Sequence, residues 1–464
     1  MLQGDAGEPP MLDAAETRLP PRVTPPADTL GAWGAFRVAQ RNLLEFVPEA
    51  AYREPLVEGG QLTRWKMVQD PAWLEHVLKT RADVYPRSDV TRRLLRPVRG
   101  DNLFVADGRD WRWRRRAMAP NFAHRNLAAL SPAMTAAAEA ASARFAAAAP
   151  GRIDVHDEMV TTTFEIIRDT LLNGAGTLDR RAVGRAVDRF IGAVGRLSLL
   201  DILNAPDWIP RPNRILMRGA RSLDRMVDGL VRDRIRGGPG DPPDMLDLLI
   251  LAEDPKSGRR MTPLEIRNNL ILFIVAGHET TALALSWALW LLAFDESVQD
   301  RARDEAQAVL GDRAATAEDL PRLPYVAQVL DEAMRLYPSG ALMARTARAE
   351  DEIAGRPVRP GETVMIPVYA LHRHRALWDH PDAFDPDRFA PERAGGRHRF
   401  AFLPFGAGPR ICIGAAFARM EARIVLATLL ARFRFRLGSA PAPRPELLIT
   451  LRPTGGARVD VERI

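Results

Sequence analysis

The sequence predicts a mainly α fold with a minor β-sheet region. Three observations carry this: one long apolar helix, a series of alanine-rich periodic segments before it, and short strand-like segments gathered mostly in the second half. The long helix is announced by Thr262-Pro263-Leu264-Glu265, a capping box with proline at the first helical position, and its apolar run continues to about Phe294. Roughly 30 residues at ~1.5 Å each give ~45 Å, enough to span a domain. A membrane-spanning reading meets Gly277-His278-Glu279-Thr280-Thr281 at mid-span, where an acidic side chain costs ~2.5 to 3.5 kcal/mol in lipid. A buried helix of a soluble body is the better account.

The remaining elements follow in chain order. Residues 1–30 are proline-rich, with Pro20-Pro21 and Pro25-Pro26, and contain no apolar run long enough for a membrane anchor. They read as an extended, partly disordered arm. Gln61 to Gln69 suggests a strand, and Asp70-Pro71 places a capping carboxylate and an N1 proline before a helix. From Asp83 to Gly108 periodicity is poor and Gly, Pro and Asp recur, which predicts a long irregular loop. Ser131-Pro132 is expected to start a helix that Pro150-Gly151 ends, and Asp154 and Gly174 bracket the next. Residues 205–212 and 237–243 are Pro- and Gly-containing breaks. Later, Arg356 to Pro367 reads as a β-hairpin turning at Pro360-Gly361, with further strands at 434–437 and 447–451.

With 464 residues, 46% of them hydrophobic, the chain can bury a large core. Its single cysteine excludes an intrachain disulfide, and the N-terminus lacks a basic segment followed by an apolar one, so a cytoplasmic location is expected. The net charge of +6 comes from arginine rather than lysine. It points to an acidic partner or nucleic acid, or to compositional drift alone.

The chemistry-bearing residues centre on Phe405-Gly406-Ala407-Gly408-Pro409-Arg410-Ile411-Cys412-Ile413-Gly414, which leads into a helix near Ala415. A lone cysteine usually just packs as a small hydrophobe. Here the glycines keep bulk away and a following helix N-terminus would favour the thiolate, one of the few axial ligands that proteins offer haem iron. In Trp111-Arg112-Trp113-Arg114-Arg115-Arg116, basic residues interleaved with aromatics fit a nucleic-acid patch or a solvated basic face. A third reading fits better: Trp111 and Arg115 stand one turn apart on one helical face, able to donate to one anion. Arg112 and Arg116 share another face and are expected to be free for a partner. Asp331-Glu332-Ala333-Met334-Arg335 holds an ExxR pair, by itself an ordinary salt bridge.

Five positions of the cysteine decapeptide, Phe405, Gly408, Arg410, Cys412 and Gly414, resemble the haem-binding signature FxxGxRxCxG of the cytochrome P450 monooxygenases. Ala276-Gly277-His278-Glu279-Thr280-Thr281 resembles that family's oxygen-activation motif, Trp111 and Arg115 its WxxxR, Glu332 and Arg335 its ExxR, and Phe384 to Phe389 its PERF-like box. The resemblance runs from about residue 60 to the C-terminus and implies one domain over 31–464, with the long helix above haem b and the Cys412 loop beneath it.

It further implies Cys412 as the iron ligand, Trp111 and Arg115 on one haem propionate, and Arg345, with His372 as a weaker candidate, on the second. Ala276 and Gly277 would let dioxygen and haem approach the backbone, Glu279 would relay protons, and Thr280 would hold the water that delivers them. His278 is expected to be structural. Glu332, Arg335 and Arg388 would form a buried structural triad that holds the Cys loop. Leu94, Leu95, Leu103 and Phe104, together with Ala276, Ala341, Leu342 and Met343, would line an apolar substrate. The activity implied is insertion of one oxygen atom of dioxygen into a fatty acid, terpenoid or steroid-like molecule. A peroxide-driven peroxygenase and a non-catalytic haem sensor or carrier are the alternatives. No strand-GxGxxG-helix unit occurs, so electrons from NAD(P)H must come through a separate ferredoxin or flavodoxin-type partner with its reductase. That partner would dock near Arg112, Arg116, Arg419 and Arg423. The resemblance also implies a monomer with no nucleic-acid partner and no membrane anchor.

Overall fold

Thr262 and Glu265 exchange the two reciprocal hydrogen bonds of a capping box, and the helix they start, Pro263–Phe294, runs for 32 residues. Asp295 ends it and caps Glu296–Leu310 in turn, accepting from Ser297 and Val298 N–H. The computed structural model describes residues 19–60, 64–99, 101–172, 183–185, 200, 221–241 and 243–464; residues 1–18 of the expected arm and the break at 205–212 lie outside these. By length and composition the central helix would cross a membrane, yet from Thr281 to Ala293 every one of its side chains is buried by the protein. Val155–Leu172, Arg221–Gly237, Pro324–Leu336 and Ala415–Arg432 pack against it, and His124–Ala148 lies across Val155–Leu172 and Ala415–Arg432.

The strands form small sheets at the margins of this helical body. β1 (Leu56–Gly59), β2 (Trp65–Val68), β7 (Thr363–Ile366) and β4 (Met343–Thr346) make one sheet in the order β1-β2-β7-β4, with β2 and β7 parallel. β3 (Gly151–Asp154), β11 (Arg458–Arg463) and β8 (Phe433–Arg436) make a second. β9 (Arg444–Leu447) with β10 (Leu451–Thr454), and β5 (Asp351–Ile353) with β6 (Arg356–Val358), are isolated hairpins.

Several local expectations are corrected. The loop expected over 83–108 contains a helix, Asp89–Arg99, which Ser88 caps by accepting from Thr91 N–H at 3.2 Å. The helix expected to begin at Ser131-Pro132 begins at His124 and passes through Pro132. Proline there leaves the Ala128 carbonyl without its backbone donor, and the Ser131 hydroxyl replaces it at 2.8 Å. The hairpin expected over 356–367 does not form. Ala354 and Gly355, both at positive φ, turn β5 into β6, while the residues after Pro360-Gly361 join the four-stranded sheet. The strand expected over 447–451 is the turn between β9 and β10 with one paired residue at each end.

One buried cluster ties the two halves of the C-terminal region together. Glu332 and Arg335 are fully buried and pair bidentately, Nε to Oε2 at 2.6 Å and Nη2 to Oε1 at 2.7 Å. Arg335 spends its remaining donors on His372, Pro381 and Ala383 carbonyls, so all five N–H groups are used. Arg388 approaches Glu332 Oε1 at 3.4 Å as an ion pair and donates to the Asp379 and His380 carbonyls. Removing one member of such a cluster strands the others away from water at a cost of ~3 to 5 kcal/mol. Glu332→Ala is therefore expected to lose a large part of a typical folding margin of ~5 to 15 kcal/mol, read as a marked fall of the urea midpoint. A midpoint close to wild type would show that the carboxylate carries no structural weight.

Candidate active site

The cysteine loop is shaped by two glycines in left-handed backbone and by one contact that admits no side chain. Gly406 and Gly408 both have φ near +69°, and a Cβ on Gly408 would fall 1.9 Å from the Leu78 carbonyl oxygen. Cys412 N–H closes the loop by donating to Phe405 O at 2.9 Å, and Ala415–Arg432 follows directly, starting where the motif placed it. The Cys412 sulfur is accessible, but burial pushes its thiol pKa up, against the Gly414 N–H and the Arg115 and Arg87 charges. Burial thus outweighs the helix N-terminus expected to favour the thiolate; a metal held there would supply the missing stabilisation, since thiolate ligands bind deprotonated.

The central helix has an accessible stretch of its own in an otherwise buried run. Between buried Ile274 and buried His278, Ala276 is exposed and Val275 and Gly277 are partly so, and Thr280 is partly exposed beyond buried Glu279. Thr280 donates its hydroxyl to Ala276 O at 2.8 Å, which leaves its oxygen as an acceptor. Gly277 also meets a packing requirement. A Cβ there would meet Ile167 Cδ1 at 2.6 Å, so the glycine admits the neighbouring helix Val155–Leu172. His278 is buried, with Nδ1 donating to Ile274 O at 3.0 Å, in keeping with a structural role. Glu279 is buried as well and its Oε1 accepts from Thr450 and Arg452 on the C-terminal hairpin.

Desolvated arginines, Arg345 buried and the others partly so, gather near the cysteine loop, with Arg115 and Arg87 acting on the sulfur. Arg345 has its pKa lowered to about 10 by burial and by Arg410. Arg115 is lowered by burial, and Arg410 is likewise lowered while bonding Asp107 at 2.5 Å and covering the Trp111 ring at 4.6 Å. Arg87, which the sequence gave no reason to single out, joins them: its backbone bridges Arg345, its charge is repelled by Arg345 and Arg410, and its buried Nε has no partner among the described residues. Desolvated guanidiniums this close, with Asp107 as the carboxylate acting on them, call for further anionic charge. A soft sulfur beside such cations fits a metallo-group that carries carboxylates, as haem b does.

His372 does not belong to this set. Its Nδ1 donates to Arg335 O at 3.2 Å and its Nε2 accepts from Leu403 N–H at 2.8 Å, and burial holds its pKa down at about 3. Both nitrogens are spent on backbone, which leaves nothing for a carboxylate. Of the expected substrate contacts, Leu95, Phe104, Leu342 and Met343 are partly buried and Leu103 and Ala341 are core residues, while the Leu94 side chain lies outside the described residues. Met343 Sδ would lie 3.5 Å from a Cβ on Gly406, and the Arg87 guanidinium stacks on Phe104 at 3.7 Å, so both sit beside the cysteine loop and its cations. The expected docking arginines are mostly engaged: Arg116 forks onto buried Asp254 at 2.7 and 2.8 Å, Arg419 pairs with Asp331 at 2.5 Å, and Arg423 donates to the Leu320 carbonyl. Arg112 stays exposed.

Glu421 also escaped the sequence reading, although it is the only acidic residue of the apolar helix Ala415–Arg432. It is fully buried and neither oxygen makes a well-formed hydrogen bond, though Thr281 of the central helix lies near enough to lower its pKa. Burial dominates and pushes the carboxyl from 4.5 up to about 8. Between those values the folded chain holds a proton that the unfolded chain has released, so stability from this group is complete below about pH 4.5 and lost as pH rises to about 8. Relative to Glu421→Gln, which cannot ionise, the wild type should lose stability steadily across that window in urea unfolding. A pH-independent difference would mean that Glu421 does not titrate there.

Known proteins share this architecture. A sequence model of the cytochrome P450 family matches residues 60–460. Cyclooctatin synthase of Streptomyces melanosporofaciens is 34% identical over 398 residues, covering 82% of this chain and 83% of that one. Cyclooctat-9-en-7-ol 5-monooxygenase of the same organism is 34% identical over 75% of this chain and 74% of its own length. In structure, the heme domain of cytochrome P450DA superposes with a TM-score of 0.77 at 27% identity, covering 89% of both chains. The match over nearly the whole folded body, and the agreement between sequence and three-dimensional likeness, place the chain in the cytochrome P450 family, as a monooxygenase with haem b as its cofactor.

Proposed function

We propose that this monooxygenase hydroxylates a cyclic terpenoid, with electrons from NAD(P)H delivered by a separate ferredoxin or flavodoxin-type partner and its reductase. The substrate class is supported by two relatives, one named for cyclooctatin synthesis and one for oxidation of cyclooctat-9-en-7-ol, and by the apolar character of Phe104, Ala276, Leu342 and Met343. One observation carries the reading of the site: an accessible sulfur rimmed by desolvated arginines, together with a notch at Ala276 and Thr280 in an otherwise buried helix.

In this reading Cys412 binds the iron, and Arg115, Trp111, Arg345, Arg410 and Arg87 hold the two carboxylates of the cofactor. Phe405, Gly408 and Gly414 keep the loop extended and free of bulk beneath it. When bound, haem b supplies the activation of dioxygen. Thr280, its hydroxyl proton committed to Ala276 O, accepts from a water and so places that water's other proton for transfer. Glu279, one residue earlier, resupplies the proton. Gly277 contributes close helix packing, and the walls around Ala276 exclude bulk water. The enzyme acts as a cytoplasmic monomer, in keeping with its single cysteine and with the burial of the long apolar helix Pro263–Phe294.

Offered cyclic terpenoids, fatty acids and steroids in parallel, the reconstituted system should form most product per NAD(P)H with the terpenoids. Thr280→Ala should keep substrate binding and electron uptake but lose ~10² to 10⁴ in the proton-assisted step, so that hydrogen peroxide rises as product falls. Coupling equal to wild type would remove Thr280 from the mechanism, and preference for fatty acids or steroids would overturn the substrate class.

The partner's docking face is proposed at a notch of about 280 Å³ lined by Arg109, Arg112, Trp113, Arg116 and Arg259, with Asp254 and Ser257 behind. Because Arg116 neutralises a buried aspartate, Arg112 is the better probe. Surface charge acts on association rate and is screened over ~8 Å at physiological salt. Arg112→Glu should slow electron transfer from the partner and flatten its dependence on salt. An unchanged rate and slope would move the docking face elsewhere.

A further inference from the structure

The turn after the helix Pro324–Leu336 sets one hydroxyl against the central helix. Ser339 Oγ donates to Thr280 O at 2.9 Å, and Thr280 donates its own hydroxyl to Ala276 O at 2.8 Å. Two carbonyls one turn apart, at Ala276 and Thr280, therefore each carry a side-chain donor. A carbonyl has two lone pairs and can take such a donor beside its helical partner; donors of this kind tilt carbonyls outward and bend helices. Thr280 is thus set at both ends, its hydroxyl by Ala276 and its backbone by Ser339.

Ser339 has little freedom to give that bond up. Its own carbonyl accepts from Leu451 N–H at 3.1 Å, and the carbonyl of Leu451, fully buried in the β9–β10 hairpin, accepts the Trp287 indole N–H at 3.4 Å. Two residues before Ser339, buried Tyr337 stacks on Trp287 with ring centroids 3.7 Å apart and 10° between the planes. Two residues after it, Ala341 is buried and its carbonyl accepts from Tyr369 N–H at 3.1 Å. The turn is thereby pinned to the central helix at Thr280 and Trp287. It continues directly into partly buried Leu342 and into Met343, whose sulfur lies beside Gly406 of the cysteine loop.

We propose that Ser339 is a positioning residue for the reaction: its bond to the Thr280 carbonyl fixes the helix rotation at which the Thr280 oxygen receives its water, and joins that setting to the turn that carries Leu342 and Met343. The inference rests on the role given to Thr280 above. It goes beyond that role by placing part of the control on a hydroxyl outside the central helix. Ser339 touches no reacting atom and acts through Thr280. A substrate resting on Leu342 or Met343 presses on the same turn, and a shift of about 1 Å in a positioned group can cost ~10²-fold, so a poor fit there is felt as lost coupling.

The test uses the haem-loaded enzyme with Ser339→Ala and Ser339→Thr, each with and without Thr280→Ala. With the best substrate of the panel above, product and peroxide per NAD(P)H are recorded. In the reduced, substrate-free enzyme, the infrared stretch of bound carbon monoxide reports the polar groups around the ligand. One neutral hydrogen bond corresponds to about a two- to tenfold change in an equilibrium, so Ser339→Ala should cut product per NAD(P)H by about that factor. Peroxide should rise, substrate affinity should hold, and the carbon monoxide stretch should move. Ser339→Thr, which keeps the hydroxyl, should stay closer to wild type in both measurements. Because the effect runs through Thr280, Ser339→Ala should change neither quantity further once Thr280→Ala is present. A merely structural loss would lower haem content and the urea midpoint equally with or without the Thr280 hydroxyl. Wild-type coupling and carbon monoxide stretch in Ser339→Ala, or effects that add in full to those of Thr280→Ala, would overturn the proposal. The reading beneath it fails separately: if Thr280→Ala alone keeps wild-type coupling, Thr280 leaves the mechanism, while the carbon monoxide stretch still decides whether Ser339 sets its position.

Discussion

The Arg335 guanidinium is the interaction on which the placement of the site depends. Its five donors leave one helix, Pro324–Leu336, and end on Glu332 and on three carbonyls of the irregular chain between His372 and Ala383. That chain has little regular structure of its own to satisfy its carbonyls. A planar fork with fixed geometry orders it instead, at a depth where an unpaired charge would be prohibitive. His372 extends the tie by bonding Arg335 O with one nitrogen and Leu403 N–H with the other, two residues before the cysteine loop begins. The sulfur is thus positioned from behind by backbone bonds that trace to one buried arginine, rather than by the packing of its own side chain.

On the opposite side the constraint is helical. A 32-residue helix brings a small-residue notch over the loop only if it is fixed in rotation as well as in translation, and its neighbours fix both. Ile167 fills the space above Gly277, Thr163 donates to His278 O at 2.6 Å, and Ser339 donates to Thr280 O. With those faces occupied, Ala276 and Thr280 remain accessible. The arginines near the cysteine loop carry the converse cost: burial lowers their pKa values and they repel one another, which is tolerable in a protein that holds a group bearing carboxylates.

Two buried carboxylates on or against the central helix show how environment divides one functional group into two kinds. Glu279 has a guanidinium and a hydroxyl on one oxygen. Glu421 has neither oxygen well satisfied, and burial carries it to about 8. The first is tied by its bonds to the C-terminal hairpin, and the second is an acid that burial holds protonated, at a cost that grows as pH rises from about 4.5 to about 8.

Much of the fold was legible in the sequence because the decisive signals are local. The capping box at Thr262 and Glu265, the Asp70-Pro71 helix start, the glycines of the cysteine loop and the ExxR spacing each act within a few residues, and the structure has them where the pattern put them. Pairing and partnership are not local, and there the tertiary structure decided. Which strands met which, that Ser131 could rescue a helix through Pro132, and that His372 would be consumed by backbone all depend on chain segments distant in sequence or on a competition that no spacing reveals. Arg87 was invisible because a cation in an aperiodic segment becomes informative only when folding brings it against Arg345 and Arg410. Gly277 was read from its motif as room for a ligand; that Ile167 also comes close to it is visible only in the fold. Glu279 was named from its motif, but its tie to Arg452, 173 residues later, exists only where the last hairpin folds back onto the central helix.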